Sequence, residues 1–173
     1  MDKRENAGFT LIELIVVVTL VAVLTAIILD RVLSYQEQAE KTAVGQVIAA
    51  VRSGLQLQFA GLLVRGERRK LVAFARQNPL SVLSELPKDF GGPMPASVQD
   101  LEPGLWYYDA RNRELVYCPI LDSRLSVEGI TPPAKKILRF RVELMGDTPG
   151  QTVTDGAKAT GIRLSSVTPY QWD

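Results

Sequence analysis

Histidine is absent from the sequence, and with it go the usual general base at neutral pH and the commonest metal ligand. Hydrolases built on a histidine-containing triad and histidine-ligated zinc sites are therefore excluded. Cysteine occurs once, at Cys118, so no intramolecular disulfide staples the fold and the redox compartment is left open. An excess of either charge is also missing. Twenty basic residues against 19 acidic ones leave a formal net charge of +1, too little for a global field that would gather nucleic acid or an acidic substrate. At 173 residues the chain has room for one compact domain with an appendage, and none for a large multidomain enzyme. Charge is scarcest near the N-terminus, where Glu13 is the one ionisable side chain between Phe9 and Leu29.

As a helix, residues 9–29 would span about 31 Å, which matches the ~30 Å hydrocarbon core of a bilayer and predicts a single crossing. Eight short, mostly polar residues precede this run, and Lys3 and Arg4 among them predict a cytoplasmic N-terminus. After it come Asp30, Arg31, Val32 and Leu33, which offer no small-x-small cleavage site, so the run reads as an anchor and not as a secretory signal removed whole. Glu13 is its costly member. A carboxylate deep in a bilayer costs roughly 2.5 to 3.5 kcal/mol on insertion scales, so Glu13 must either snorkel to the headgroups or meet a compensating charge.

The stretch Gly8-Phe9-Thr10-Leu11-Ile12-Glu13-Leu14, after a short charged leader and before a long apolar run, resembles the cleavage and methylation signature of the type IV pilin superfamily. That superfamily includes type IV pilins, type II secretion pseudopilins and competence pseudopilins. The resemblance implies that a prepilin peptidase cuts between Gly8 and Phe9 on the cytoplasmic side and methylates the new amine of Phe9. It also implies that Glu13 pairs with the Phe9 amine of a neighbouring subunit, each charge relieving the other's desolvation in a low dielectric. One departure is Asp30, where many relatives carry a helix-kinking proline; a straighter helix is expected here, with Asp30 at the periplasmic membrane edge.

Beyond the anchor, Val44, Val47, Ile48, Val51, Leu55, Phe59, Leu62 and Leu63 recur at steps of three and four, which predicts one buried helical stripe. No proline lies between Phe9 and Val64, and the basic stretch 65–70, which breaks the pattern at Gly66, reads as a helix end or an exposed connection. Residues 71–77 look helical. Asn78 and Pro79 then supply a cap and first-turn proline for a short helix through residue 86. Residues 87–95 read as a loop from their prolines and glycines. Residues 105–108 and 114–118 form a hairpin candidate around a turn at 109–113, and residues 137–144 and 161–167 read as further strands. The expectation is an α+β, pilin-like fold: a long N-terminal helix, transmembrane in its first half and amphipathic in its second, packed on a small antiparallel sheet. Its expected parts are a leader (1–8), a transmembrane assembly helix (9–29), an amphipathic continuation (30–64) and a periplasmic α+β head (65–173). The proline-rich link and the hairpin also resemble pseudopilin and minor-pilin heads, though more loosely.

Candidate chemistry elsewhere is thin. The loop 147–155 offers Asp147, Asp155 and hydroxyls, but its spacing matches no EF-hand, and a plain polar turn is the expectation. Cys118 should face the core, and Trp106, Tyr107 and Tyr108 should pack the sheet. No catalytic residue, metal site or cofactor is expected. The reading is a non-enzymatic subunit of a type II secretion or type IV pilus-like machine. Its implied partners are other pilin or pseudopilin subunits, the prepilin peptidase, an inner-membrane assembly platform and the membrane itself. Its implied location is the inner membrane, single-pass, with a periplasmic head that enters a periplasmic filament. Two alternatives stay open: a signal-anchored periplasmic enzyme or binding domain, and a competence minor pilin that binds DNA through residues 65–70 and other exposed arginines, although a nucleic-acid partner is not favoured.

Overall fold

A computed structural model describes residues 10–131, 133–148 and 150–173. Its first element is helix α1, Leu11–Val64. Thr10 opens it: the Leu14 N–H donates to the Thr10 carbonyl at 3.1 Å and the Glu13 N–H to Thr10 Oγ1 at 3.3 Å, satisfying donors that a helix start leaves without partners. The helix continues through Asp30 without interruption, as the absence of a proline there predicts. It stops at Gly66, whose φ of 71° is the left-handed conformation that glycine adopts without a Cβ penalty. There the N–H of Gly66 donates to Leu63 O and that of Glu67 to Leu62 O, both at 2.9 Å, the paired bonds that close a helix C-terminus.

The chain divides into two compact units, one ending at Ala39 and one starting at Glu40, and α1 contributes to both. In the first unit the apolar side chains are exposed on every face of the helix, among them Leu11, Val18, Leu24 and Ile28. In the second, Val44, Ile48, Val51, Leu55, Phe59 and Leu62 are buried in the core, with Val47 and Leu63 partly buried against it, so the predicted stripe is the observed one. Each such side chain contributes about 1.5 to 3 kcal/mol by leaving water.

The α+β, pilin-like architecture is completed by a mostly antiparallel sheet. Its strands are β1 (Phe90–Pro93), β2 (Trp106–Asp109), β3 (Glu114–Tyr117), β5 (Leu138–Met145), β6 (Thr152–Val153) and β7 (Gly161–Ser166), while β4 (Leu125–Val127) and β8 (Tyr170–Trp172) pair separately. The β2–β3 hairpin sits where the alternation placed it, with Trp106 opposite Tyr117 and Asp109 opposite Glu114. Trp106 fills the centre of the core, its ring 4.7 Å from Tyr117 and 6.2 Å from Phe140.

Three local expectations are corrected. Residues 87–95 are not all loop, since Phe90–Pro93 forms β1, parallel to β2. Residues 79–86 do not make a helix beyond one 3-10 turn, Pro79–Val82, capped by the Asn78 side chain. The sheet also has more strands than periodicity revealed, because β1, β4, β6 and β8 are at most four residues long.

Glu40 ties helix to sheet. Its carboxylate accepts from Tyr117 Oη at 2.8 Å and from the N–H groups of Ile120 and Leu121 at 2.7 and 3.1 Å, holding the chain that leaves β3 against α1. Gly156 makes a second close contact, since a Cβ there would lie 2.5 Å from the Arg68 carbonyl oxygen. On the other side of β3 a smaller cluster joins Leu101, Tyr107, Val116, Cys118 and Ile137. Burial pushes the Cys118 thiol up against the opposing pull of Lys135, so the reactive thiolate is scarce as well as inaccessible. Maleimide labelling of native protein at neutral pH is therefore expected to be negligible and to become complete in denaturant; fast labelling of the native form would contradict this packing.

Candidate functional site at the start of the helix

Thr10, Leu11, Ile12 and Glu13 form the first turn of α1, with Thr10 as the cap and Glu13 as the acidic residue of that turn. A threonine followed three positions later by a glutamate is a helix-start signature, and it is the local signal that composition and hydropathy alone overlook. It sets the rotational position of Glu13 on the helix. Thr19 and Thr25, the other polar residues of the run, turn their hydroxyls back onto the carbonyls of Ile15 and Val21 at 2.8 and 2.7 Å. Their polar groups are satisfied within the helix, as an apolar surrounding demands.

Glu13 is different. It is exposed, and among the described residues no hydrogen-bond donor or cation meets its carboxylate. The next ionisable position along the helix is Asp30, a like charge. Whatever neutralises Glu13 in lipid must come from outside residues 11–29 of its own helix. Gly8 and Phe9, the other two residues singled out by the sequence, lie outside the described residues.

The remaining candidates are structurally occupied. In the basic stretch 65–70, Glu67 pairs with Lys70 at 2.8 Å and Arg65 at 3.5 Å, while Arg68 donates to the carbonyls of Ala157 and Ala159. The Lys70 hydrogen bond, ahead of Arg65, holds the Glu67 carboxyl below its ordinary value. In the loop 147–155, Gln151 bonds to Thr148 and Gly146, β6 uses Thr152 and Val153, and Asp155 caps the turn at Ala157. Among the described residues no three potential metal ligands cluster. Trp106 and Tyr107 pack the sheet as expected, and half-buried Tyr108 donates its hydroxyl to Arg76 O at 3.0 Å.

Among the described residues α1 is the one helix long and apolar enough to cross a membrane, by length and composition. The family model for the prokaryotic N-terminal methylation motif matches residues 3–29. The chain carries that motif. The match takes in Gly8, Phe9 and Glu13 together with the apolar run behind them. Type II secretion system core protein G of Pseudomonas aeruginosa is 37% identical over 57 residues, which cover 33% of this chain and 40% of that protein. The match thus spans less than half of the curated relative's length. No solved structure matches the chain. The motif and this similarity support a pilin or pseudopilin, a class of structural subunits anchored by one N-terminal helix.

Proposed function

We propose that the chain is a pseudopilin or minor-pilin subunit that waits in the inner membrane and assembles through α1 into a periplasmic filament, serving protein secretion or pilus biogenesis. The observation that carries this reading is the methylation motif set on a helix that exposes apolar side chains on every face around one acid that has no partner among the described residues. A soluble protein hides such a helix, and a simple anchor has no need of Glu13. Residues 1–8 are the leader, 9–29 the membrane and assembly segment, 30–64 its amphipathic continuation and 65–173 the periplasmic head. Lys3 and Arg4 keep the leader cytoplasmic. The prepilin peptidase cuts after Gly8 and methylates Phe9, and the assembly platform and other subunits are the partners. The work is mechanical, not catalytic. In lipid, helices associate by packing and polar pairing, so Glu13 paired with a neighbour's Phe9 amine sets the register while valine, leucine and isoleucine supply the contact surface.

Processing is the direct test. Cleavage removes Asp2, Lys3, Arg4 and Glu5, leaving 18 basic and 17 acidic residues from the original 20 and 19. Mass spectrometry of protein from cells with an active prepilin peptidase is expected to find a first residue of methylated Phe9. Retention of Met1 in those cells would overturn the assignment in favour of an uncleaved anchor.

A further inference from the structure

A cleft of about 510 Å³ opens beside the β2–β3 turn, and Arg76, Arg111, Arg113 and Arg141 all line it. The first three are exposed, and among the described residues none has a carboxylate within ion-pair distance. Of the nearby acids Glu143 lines the cleft itself, and each is engaged by other groups. Glu114 is buried and paired with Arg139 at 3.1 Å and with Arg141, and Glu143 engages Arg163 at 3.2 Å and Ser165 at 2.8 Å. Asp109 accepts from the backbone of Arg111 and Asn112 and from the Asn112 side chain at 2.8 to 3.1 Å. A chain of net charge +1 thus gathers free guanidinium groups at one end of its sheet.

The sheet has a gap at the same place. The β3–β5 register ends at Glu114 opposite Arg141, and the β6–β5 register begins at Val153 opposite Leu144. Between them Val142 and Glu143 have strand partners on the β7 side only, Leu164 and Arg163. The Val167 N–H donates to Arg139 O at 2.8 Å, so Arg139 directs its backbone polar groups toward β7. Alternation along an antiparallel strand gives Arg141 and Glu143 the same direction and turns the N–H and C=O of Val142 into the gap. Val142 and Val153 both line the cleft.

We propose that this cleft binds an acidic segment of a partner protein, its carboxylates seated on Arg76, Arg111 and Arg113 and one of its peptide groups meeting the backbone of Val142 in the break between β3 and β6. Guanidinium forks match carboxylates bidentately, and the two-residue break in the pairing of interior strand β5 leaves the N–H and C=O of Val142 for the backbone of a bound segment. A nucleic acid would match the arginines but not the sheet gap. The site is independent of α1 and of its processing.

The test uses full-length protein in detergent micelles and a fluorescein-labelled hexapeptide alternating glutamate and valine, read by anisotropy. Saturable, salt-sensitive binding is expected, with a lysine–valine hexapeptide inert and inorganic phosphate a weak competitor. Arg111→Gln combined with Arg113→Asn should weaken binding at least about tenfold; asparagine tolerates the left-handed backbone at position 113, where φ is 58°. Arg69→Ala, outside the cleft lining, should leave it unchanged. If the double variant loses its near-ultraviolet circular dichroism, Arg76→Gln replaces it, with the same tenfold loss expected. The proposal is overturned by no saturable binding, by equal binding of the lysine peptide, by an Arg69→Ala loss as large as that of the cleft variants, or by a short single-stranded oligonucleotide that outcompetes the peptide on the same arginines.

Discussion

Replacing Glu13 with valine is expected to leave the chain in the membrane and cleaved, yet nearly absent from filaments. On the insertion side the change is favourable, by up to roughly 2.5 to 3.5 kcal/mol if the carboxylate would otherwise lie deep in the bilayer. In the assembly proposed above it removes the one charge in residues 11–29, the proposed partner of a neighbour's amine. A lost pairing worth more than about 1.4 kcal/mol per contact lowers association more than tenfold, and a filament repeats the loss at every subunit. Cysteine crosslinking between neighbouring subunits, scored beside membrane fractionation and N-terminal mass, separates these effects. Normal crosslinking by Glu13→Val would make the acid an interfacial bystander. Glu13→Asp should fall between, because it keeps the charge on a shorter side chain.

The second large effect is expected from Glu40→Ala, which leaves filament chemistry aside and attacks the head. The variant strands the hydroxyl of buried Tyr117 and the N–H groups of Ile120 and Leu121. Hydrogen bonds to a charged group contribute about 1.5 to 3 kcal/mol each, and because the three share one carboxylate their sum is not additive. A loss on the order of 3 to 5 kcal/mol follows, a large share of the stability of a small domain. Tyr117→Phe should cost about a third of that. Chemical denaturation followed by the near-ultraviolet signal of the buried Trp106 and Trp172 is the measurement, and a change under about 1 kcal/mol for Glu40→Ala would remove Glu40 from its anchoring role. Alkali acts on the same contact. Burial first, then the Glu40 hydrogen bond and charge, raise the Tyr117 phenol above its ordinary value of 10.0. The folded state therefore keeps its proton where the unfolded chain begins to lose it. This stabilisation is complete below pH 10 and declines as the pH rises from there toward the folded value.

Several of these features could be read before any fold was known, because the forces that make them are local. Thr10 and Glu13 stand three apart, the spacing of a helix start, and the charge-poor run behind them has a composition that only a lipid-like or buried setting tolerates. The stripe from Val44 to Leu62 was legible for the same reason, since 3.6-residue periodicity is written along the chain. The hairpin around residues 109–113 follows from alternation on both sides of a polar turn. Phe90–Pro93 was not legible as a strand: two glycines and a proline argue against one, and only the neighbouring edge of β2 makes it pair. Likewise β4 and β8 have three residues each and lie more than 40 positions apart, so neither carries a periodic signal of its own.

The division between sequence and tertiary structure falls along that line of range. By itself the sequence determined that residues 9–29 form an apolar run marked by one acid, that a long helix breaks near Gly66, that histidine is missing from these 173 residues, and that an α+β pattern follows. Those are statements about composition and about neighbours within a few residues. Tertiary structure alone decided that Glu40 meets Ile120 and Leu121 some 80 positions away, that Gly156 lies against the Arg68 carbonyl, and that β3 and β6 leave Val142 facing a gap. It also brought Arg76, Arg111, Arg113 and Arg141 to one cleft from three separate segments. Contacts of that kind carry no spacing rule, because the intervening chain sets their distance only after it has folded.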